Sequence, residues 1–299
     1  MATRSRSAGT GFGWLTNGIR GGFDHPKLMF GGAALLVVAC FLPSLVTMPM
    51  QYFAAKAGTP QSTATTMVTM AISVLYGFLI VPLYAGYLQL INAVQKQQAA
   101  RLSDIFKPYR QGEAWRLIGF GLANFVVYVG GIAIIVLSTG RGMIGWYKQA
   151  VAAQASHQLP PGLPGGFWTT MALLMVFGLW MMGYYAISFG QVALNRRGVF
   201  GAIGDGMSGA FKNALPLLVF ALSSLMLWVV VLIALIIVGA LLALVAKLIS
   251  TTLMLPVFIV LYFALLLWMF NVMFGVMYHL WHDVCGDDTA TAMPPSLMA

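Results

Sequence analysis

His279, His282 and Cys285 stand three residues apart, a spacing that on a helix places each neighbouring pair on one face. Imidazole and thiolate are ordinary zinc ligands, so this segment is the cluster in the chain whose residue types suit a metal. No second His or Cys pair nearby completes a tetrahedral set, and only His25 could join from the same side of the topology derived below. The expectation is therefore no bound metal and no cofactor, with these three residues as the candidates if one binds. The nineteen methionines raise Cu(I) chemistry, because thioethers are soft ligands. Met48 and Met50 form a close pair, but most of the others lie singly in apolar stretches, where Met is ordinary filler.

Catalysis needs acids, bases or nucleophiles that converge. The sequence contains no nucleophile elbow, phosphate loop, HExxH or paired carboxylates, and only seven acidic residues in all. It reads as a non-enzyme. The polar side chains inside the apolar stretches are mainly amides and hydroxyls, including Gln89, Asn124, Gln191 and Asn271. Hydrogen bonding between helices is their ordinary role. The alternative is a shared polar cavity, which would make the chain a transporter for a neutral or amphipathic solute. No charged residue sits at the middle of a stretch, which argues against an ion pump or a proton-coupled cycle.

The elements that position these residues follow from composition. Of 299 residues, 60% are hydrophobic and 8% charged, where a soluble domain carries roughly 25% charged residues. This is an integral membrane protein. A hydrocarbon layer of ~30 Å takes ~20 helical residues to cross. Six stretches qualify, at about 28–50, 67–94, 117–138, 167–195, 215–246 and 252–280. Pro82 is the expected kink in the second, and the fifth is longer than one crossing requires. The segment Thr139 to Gly166, with Pro160, Pro161 and Pro164, reads as a connection too short for a domain. The first 22 residues have no apolar core of signal-peptide type, so no cleaved signal is expected.

Six spans leave both ends on one side. That side collects twelve basic residues, from Arg4 to Lys212, against Lys56, Arg141, Lys148 and Lys247 on the other. By the positive-inside rule the termini are cytoplasmic. The acidic residues, Asp287 and Asp288 among them, fall on the same side. The net charge of +9 is thus membrane topology, and no nucleic-acid partner is expected.

An internal repeat organises the chain. Phe12, Leu15, Ile19 and Phe23 recur at the same spacing as Phe200, Ile203, Met207 and Phe211, with Gly13, Gly18 and Gly21 matching Gly201, Gly206 and Gly209. Each row is an apolar stripe along a helix, with Asn17, Arg20 and Asp24, or Asp205, Ser208 and Lys212, on the opposite face. These segments, at about 11–24 and 198–213, read as interfacial amphipathic helices, with a shorter third copy at about 100–110. Their glycines make them poor helices that need the membrane or the bundle to form. The fold expected is an all-α bundle of six spans in one membrane domain, built from three units of interfacial helix plus hairpin. Arg101, Lys107, Arg110, Arg196, Arg197 and Lys212 rim its cytoplasmic side as candidate contacts for anionic lipid headgroups. Membrane lipids, and other membrane proteins, are the partners expected.

Val81-Pro82-Leu83-Tyr84-Ala85-Gly86-Tyr87, Leu102-Ser103-Asp104-Ile105-Phe106-Lys107 and the interfacial segment from Phe200 to Pro216, after a Gly-rich amphipathic start, carry a resemblance. The chain resembles the YciC-like bacterial inner-membrane proteins, a group related to the membrane domain fused to some glycerophosphodiester phosphodiesterases. The resemblance implies a six-helix inner-membrane protein linked to envelope or lipid biology. It carries no functional residues over, and the phosphodiesterase domain has no counterpart in this sequence.

Overall fold

A computed structural model describes residues 3–56, 63–248 and 251–286, all of them helix or connection, with no strand among them. Asp287 and Asp288 lie outside the described residues. The helices are α1 (Thr10–Asp24), α2 (Pro26–Lys56), α3 (Thr63–Leu79), α4 (Val81–Gln95), α5 (Lys107–Arg110), α6 (Ala114–Thr139), α7 (Met143–Ala155), α8 (Phe167–Ala193), α9 (Val199–Lys212), α10 (Ala214–Leu248) and α11 (Thr251–Cys285). Six stretches are long and apolar enough to cross a membrane: Pro26–Ala54, Ala64–Gln95, Ala114–Thr139, Phe167–Ala193, Ala214–Lys247 and Leu255–Cys285. The protein is a polytopic all-helical membrane protein.

The second span breaks between α3 and α4, with Pro82 in the first turn of α4, where its missing N–H is tolerated. In α2, by contrast, Pro43 and Pro49 are carried inside one continuous helix, as is Pro256 in α11. The segment between the third and fourth spans folds a helix of its own, α7. The third amphipathic segment is shorter than its sequence stripe. It forms a 3-10 turn, Leu102–Phe106, and then the four residues of α5, with Pro108 breaking the hydrogen-bond ladder.

The first and last described residues meet at one end of the bundle, here called basal, where the Arg4 N–H donates to the Val284 carbonyl at 3.0 Å. The core is basal too. Buried residues fill Val81–Val94 of α4, Met181–Ala193 of α8 and Phe274–Cys285 of α11. Those three helices touch one another there. The distal halves face outward instead, and in α11 every residue from Leu255 to Phe263 is exposed. For a helix in hydrocarbon this is no defect, because lipid tails are as apolar as the side chains they touch.

The amphipathic segments pack antiparallel along these basal ends. The α1 helix runs down α11, with Trp14 at Asp283, Gly18 at Val276 and Gly22 at Asn271. The α9 helix runs along α8, with Asp205 at Gln191, Gly209 at Ile187 and Phe211 at Trp180. The turn 102–106 with α5 runs along α4, Ile105 at Gly86 and Tyr109 donating to the Leu79 carbonyl. Burial pushes the Tyr109 phenol up. Each segment thus leans on the returning helix of the hairpin before it, and α1 closes the circle on α11.

Glycine is required where the backbones meet. A Cβ on Gly18 would run into Val276, and one on Gly275 into the Gly18 backbone at under 3 Å. A Cβ on Gly86 would collide with the Ile105 carbonyl.

Candidate functional site

The amphipathic helices α1 and α9 each present three sides. In α1, Gly11, Trp14, Leu15, Gly18 and Gly22 are buried against the bundle. In α9 the buried row is Ala202, Gly206, Gly209 and Ala210. Steps of seven and four residues put Phe12, Ile19 and Phe23 on one flank of α1, and Phe200, Met207 and Phe211 on the matching flank of α9. The phenylalanines of these flanks are open: Phe12 is 56% exposed, Phe23 59%, Phe200 86% and Phe211 71%. The other flank is polar, with Asn17, Arg20 and Asp24 exposed in α1 and Ser208 and Lys212 exposed in α9. The full sequence stripe is therefore split. Leu15 turns into the core and the glycine row makes the close backbone contact, while Phe23 meets Phe30 and Phe211 meets Trp180 from largely exposed positions.

Three carboxylates tie the basal seams. Glu113 receives Arg196 at 2.7 Å and Arg116 at 3.7 Å, and Gln89 reaches from α4 to its Oε2 at 3.5 Å. Arg196 lies in a tight turn between α8 and α9, with φ of +51°. Asp205 receives Arg197 at 2.6 Å and the Gln191 amide at 3.0 Å, and Gln191 in turn accepts from Asn195 at 2.7 Å. Asp283 accepts from the Trp14 indole N–H at 2.8 Å. The first residues complete the collar. The Arg6 guanidinium donates to the Asp283 carbonyl, and Asn213, wholly buried, donates to the carbonyls of Arg4 and Gly209 and accepts from the Arg6 N–H. Lys212 donates to the carbonyl and hydroxyl of Thr3.

The six rim cations thus fall into two groups. Arg196, Arg197 and Lys212 are fastened into the seams. Arg101, Lys107 and Arg110 stand on the short segment before α6, where Lys107 meets Asp104 at 3.4 Å, Arg110 donates to the Ser103 carbonyl, and Arg101 engages Asp104 through its backbone N–H. Arg101 and Arg110 are exposed, and the Lys107 side chain is 39% exposed.

Three of the four amides are held by named partners. Gln89 donates to the Ala193 carbonyl at 2.9 Å, Gln191 serves Asp205, and Asn271 accepts from the Tyr87 hydroxyl at 2.8 Å. Asn124 keeps a buried oxygen without a hydrogen-bond partner. A small pocket contains Asn271 together with Gln95 and His279, but not the other three amides. At the end of α11, Tyr278 lies edge-on to His279 and stacks on His282 at an interplanar angle of 25°, while Cys285 is buried as a free thiol. Among the described residues no group of three His, Cys, Asp or Glu side chains is placed to hold a metal.

A larger recess opens between α8 and α10. It measures about 440 Å³, and its wall is apolar throughout, with Leu173, Val176, Phe177 and Trp180 from α8 facing Phe211 and Leu217. No family model, curated protein or solved structure matches this chain.

Proposed function

We propose that the chain is a non-enzymatic protein of the bacterial inner membrane whose basal face is cytoplasmic and binds the lipid bilayer there, with membrane lipids or other envelope proteins as its partners. The observation that carries this reading is the pair of exposed phenylalanine flanks, Phe12 with Phe23 and Phe200 with Phe211, each running along a helix whose opposite flank is polar. An apolar flank of this kind, running along the basal end of a span, suits the headgroup and acyl-chain region of a bilayer while the polar flank keeps to headgroups and water. The basic rim beside it suits an anionic leaflet, where each Lys or Arg near the surface contributes about 1 kcal/mol. The distribution of Lys and Arg supports the cytoplasmic assignment. The circular packing of three segments on three returning helices supports an origin by repetition of one unit, and the likeness to YciC-like proteins agrees with this setting.

Binding, rather than catalysis or transport, also fits how the polar side chains are used. Glu113, Asp205, Asp283, Gln89 and Gln191 are all engaged with neighbours inside the collar. The rim is tested by changing Arg101, Lys107 and Arg110 together to Gln, which leaves the ion pairs of Glu113 and Asp205 in place. Native mass spectrometry of the full chain with phosphatidylglycerol should show several-fold less retained lipid than the parent. Unchanged retention would overturn the assignment of the rim to anionic headgroups.

A further inference from the structure

We infer that the recess between α8 and α10 is a binding site for one acyl chain of a membrane phospholipid. This extends the lipid reading from headgroups to hydrocarbon, and rests on it only in placing the chain in a bilayer.

The recess has a definite structural cause. Helices α8 and α10 approach closely where Gly183 faces Leu217, so closely that a Cβ on Gly183 would meet the Leu217 methyls. Toward the distal end they part, and most of α10 from Leu222 onward is exposed. The last turn of α9, through Ala210 and Phe211, closes the basal end of the gap. The result is a wedge with a floor and two walls, within the spans Phe167–Ala193 and Ala214–Lys247.

Its size and chemistry select the occupant. An apolar cavity of about 150 Å³ stays dry inside a protein, but this space of about 440 Å³ lies open to its surroundings, and leaving it empty forfeits dispersion contacts along the whole lining. The walls expose almost no polar surface, so water there gains few hydrogen bonds. At the depth of a membrane span the medium at the mouth is lipid tail. The flat flank of a lone helix touches a tail on one side only, whereas this wedge surrounds it, with Trp180 and Phe211, 5.6 Å apart between ring centroids, at its base.

The test uses phosphatidylcholine brominated on one acyl chain, added to the full chain in detergent, with bromine quenching of tryptophan as the signal. Saturable quenching near one lipid per chain is expected, and Trp180→Phe should remove that saturable part. Ala214→Phe, at an exposed recess-lining position, should weaken the binding at least tenfold, while Ile236→Phe on the exposed distal part of α10 should not. Because the probe is zwitterionic, the Gln variant of Arg101, Lys107 and Arg110 should bind it as the parent does. That separates failure of the recess from failure of the rim. Quenching that rises without saturation, or that Ala214→Phe leaves unchanged, would overturn the inference. So would loss of quenching in the rim variant alone.

Discussion

Asn213 holds the beginning of the chain against its end. Its amide is fully buried and bonds Arg4, Arg6 and Gly209, so truncation strands several backbone groups at once. Leaving a buried polar partner unsatisfied costs about 1–3 kcal/mol. Asn213→Ala should therefore lower the thermal unfolding temperature in detergent by several degrees, whereas Ala at the exposed Asn17 should leave it within error. Sequence reading identified the rim cations and the intramembrane amides as the polar residues of interest, but not their partners. The bond from Gln89 to the Ala193 carbonyl joins positions 104 residues apart. Nothing in local spacing distinguishes Arg196, bound to Glu113 in another connection of the chain, from Arg101, which stays exposed, because that choice depends on which hairpins become neighbours.

At the scale of elements, the amphipathic helices are legible as stripes, but spacing alone marks their glycines only as helix weakeners. Several of them form the contact face. Two glycines of α9 separate these roles. A Cβ on Gly204 meets nothing within 4 Å, so Gly204→Ala should gain most of the helix-propensity difference, about 0.5–1 kcal/mol. A Cβ on Gly206 would collide with the Ser188 hydroxyl and approach the Tyr184 carbonyl at 2.7 Å. Gly206→Ala should accordingly destabilise, and unfolding temperatures of the two variants should move in opposite directions. The same distinction sorts the glycines of the spans. Gly190 lies against the Trp281 ring, but a Cβ on Gly119 or Gly239 would meet nothing within 4 Å. The six spans were readable because length and hydropathy suffice for them. Helix α7 was not, because the prolines that follow it dominate the local signal.

For the whole molecule, a basal collar of closely packed helix ends carries hairpins whose distal parts are largely exposed apolar surface. Only 6% of the most apolar window of Ala214–Lys247 is buried, against 39% for Phe167–Ala193, which packs within the collar. The hydrophobic pattern revealed the number of spans but not this asymmetry, since lipid-facing and protein-facing surfaces share one composition. The proposed orientation rests on the distribution of charge. Single cysteines replacing Arg101 and His157, in a background with Cys40 and Cys285 changed to Ser, should react with an impermeant maleimide from opposite sides of the membrane, with 157 labelled from outside intact cells. The most direct measurement places nitroxides at positions 12, 23, 200 and 211 in the same background, reconstituted in vesicles containing anionic lipid. Collisions with oxygen should there exceed those with a water-soluble nickel chelate, and the order should reverse at the exposed positions 17 and 20. Nickel collisions dominating at the four phenylalanine positions would place those flanks in water and contradict a bilayer-bound basal face.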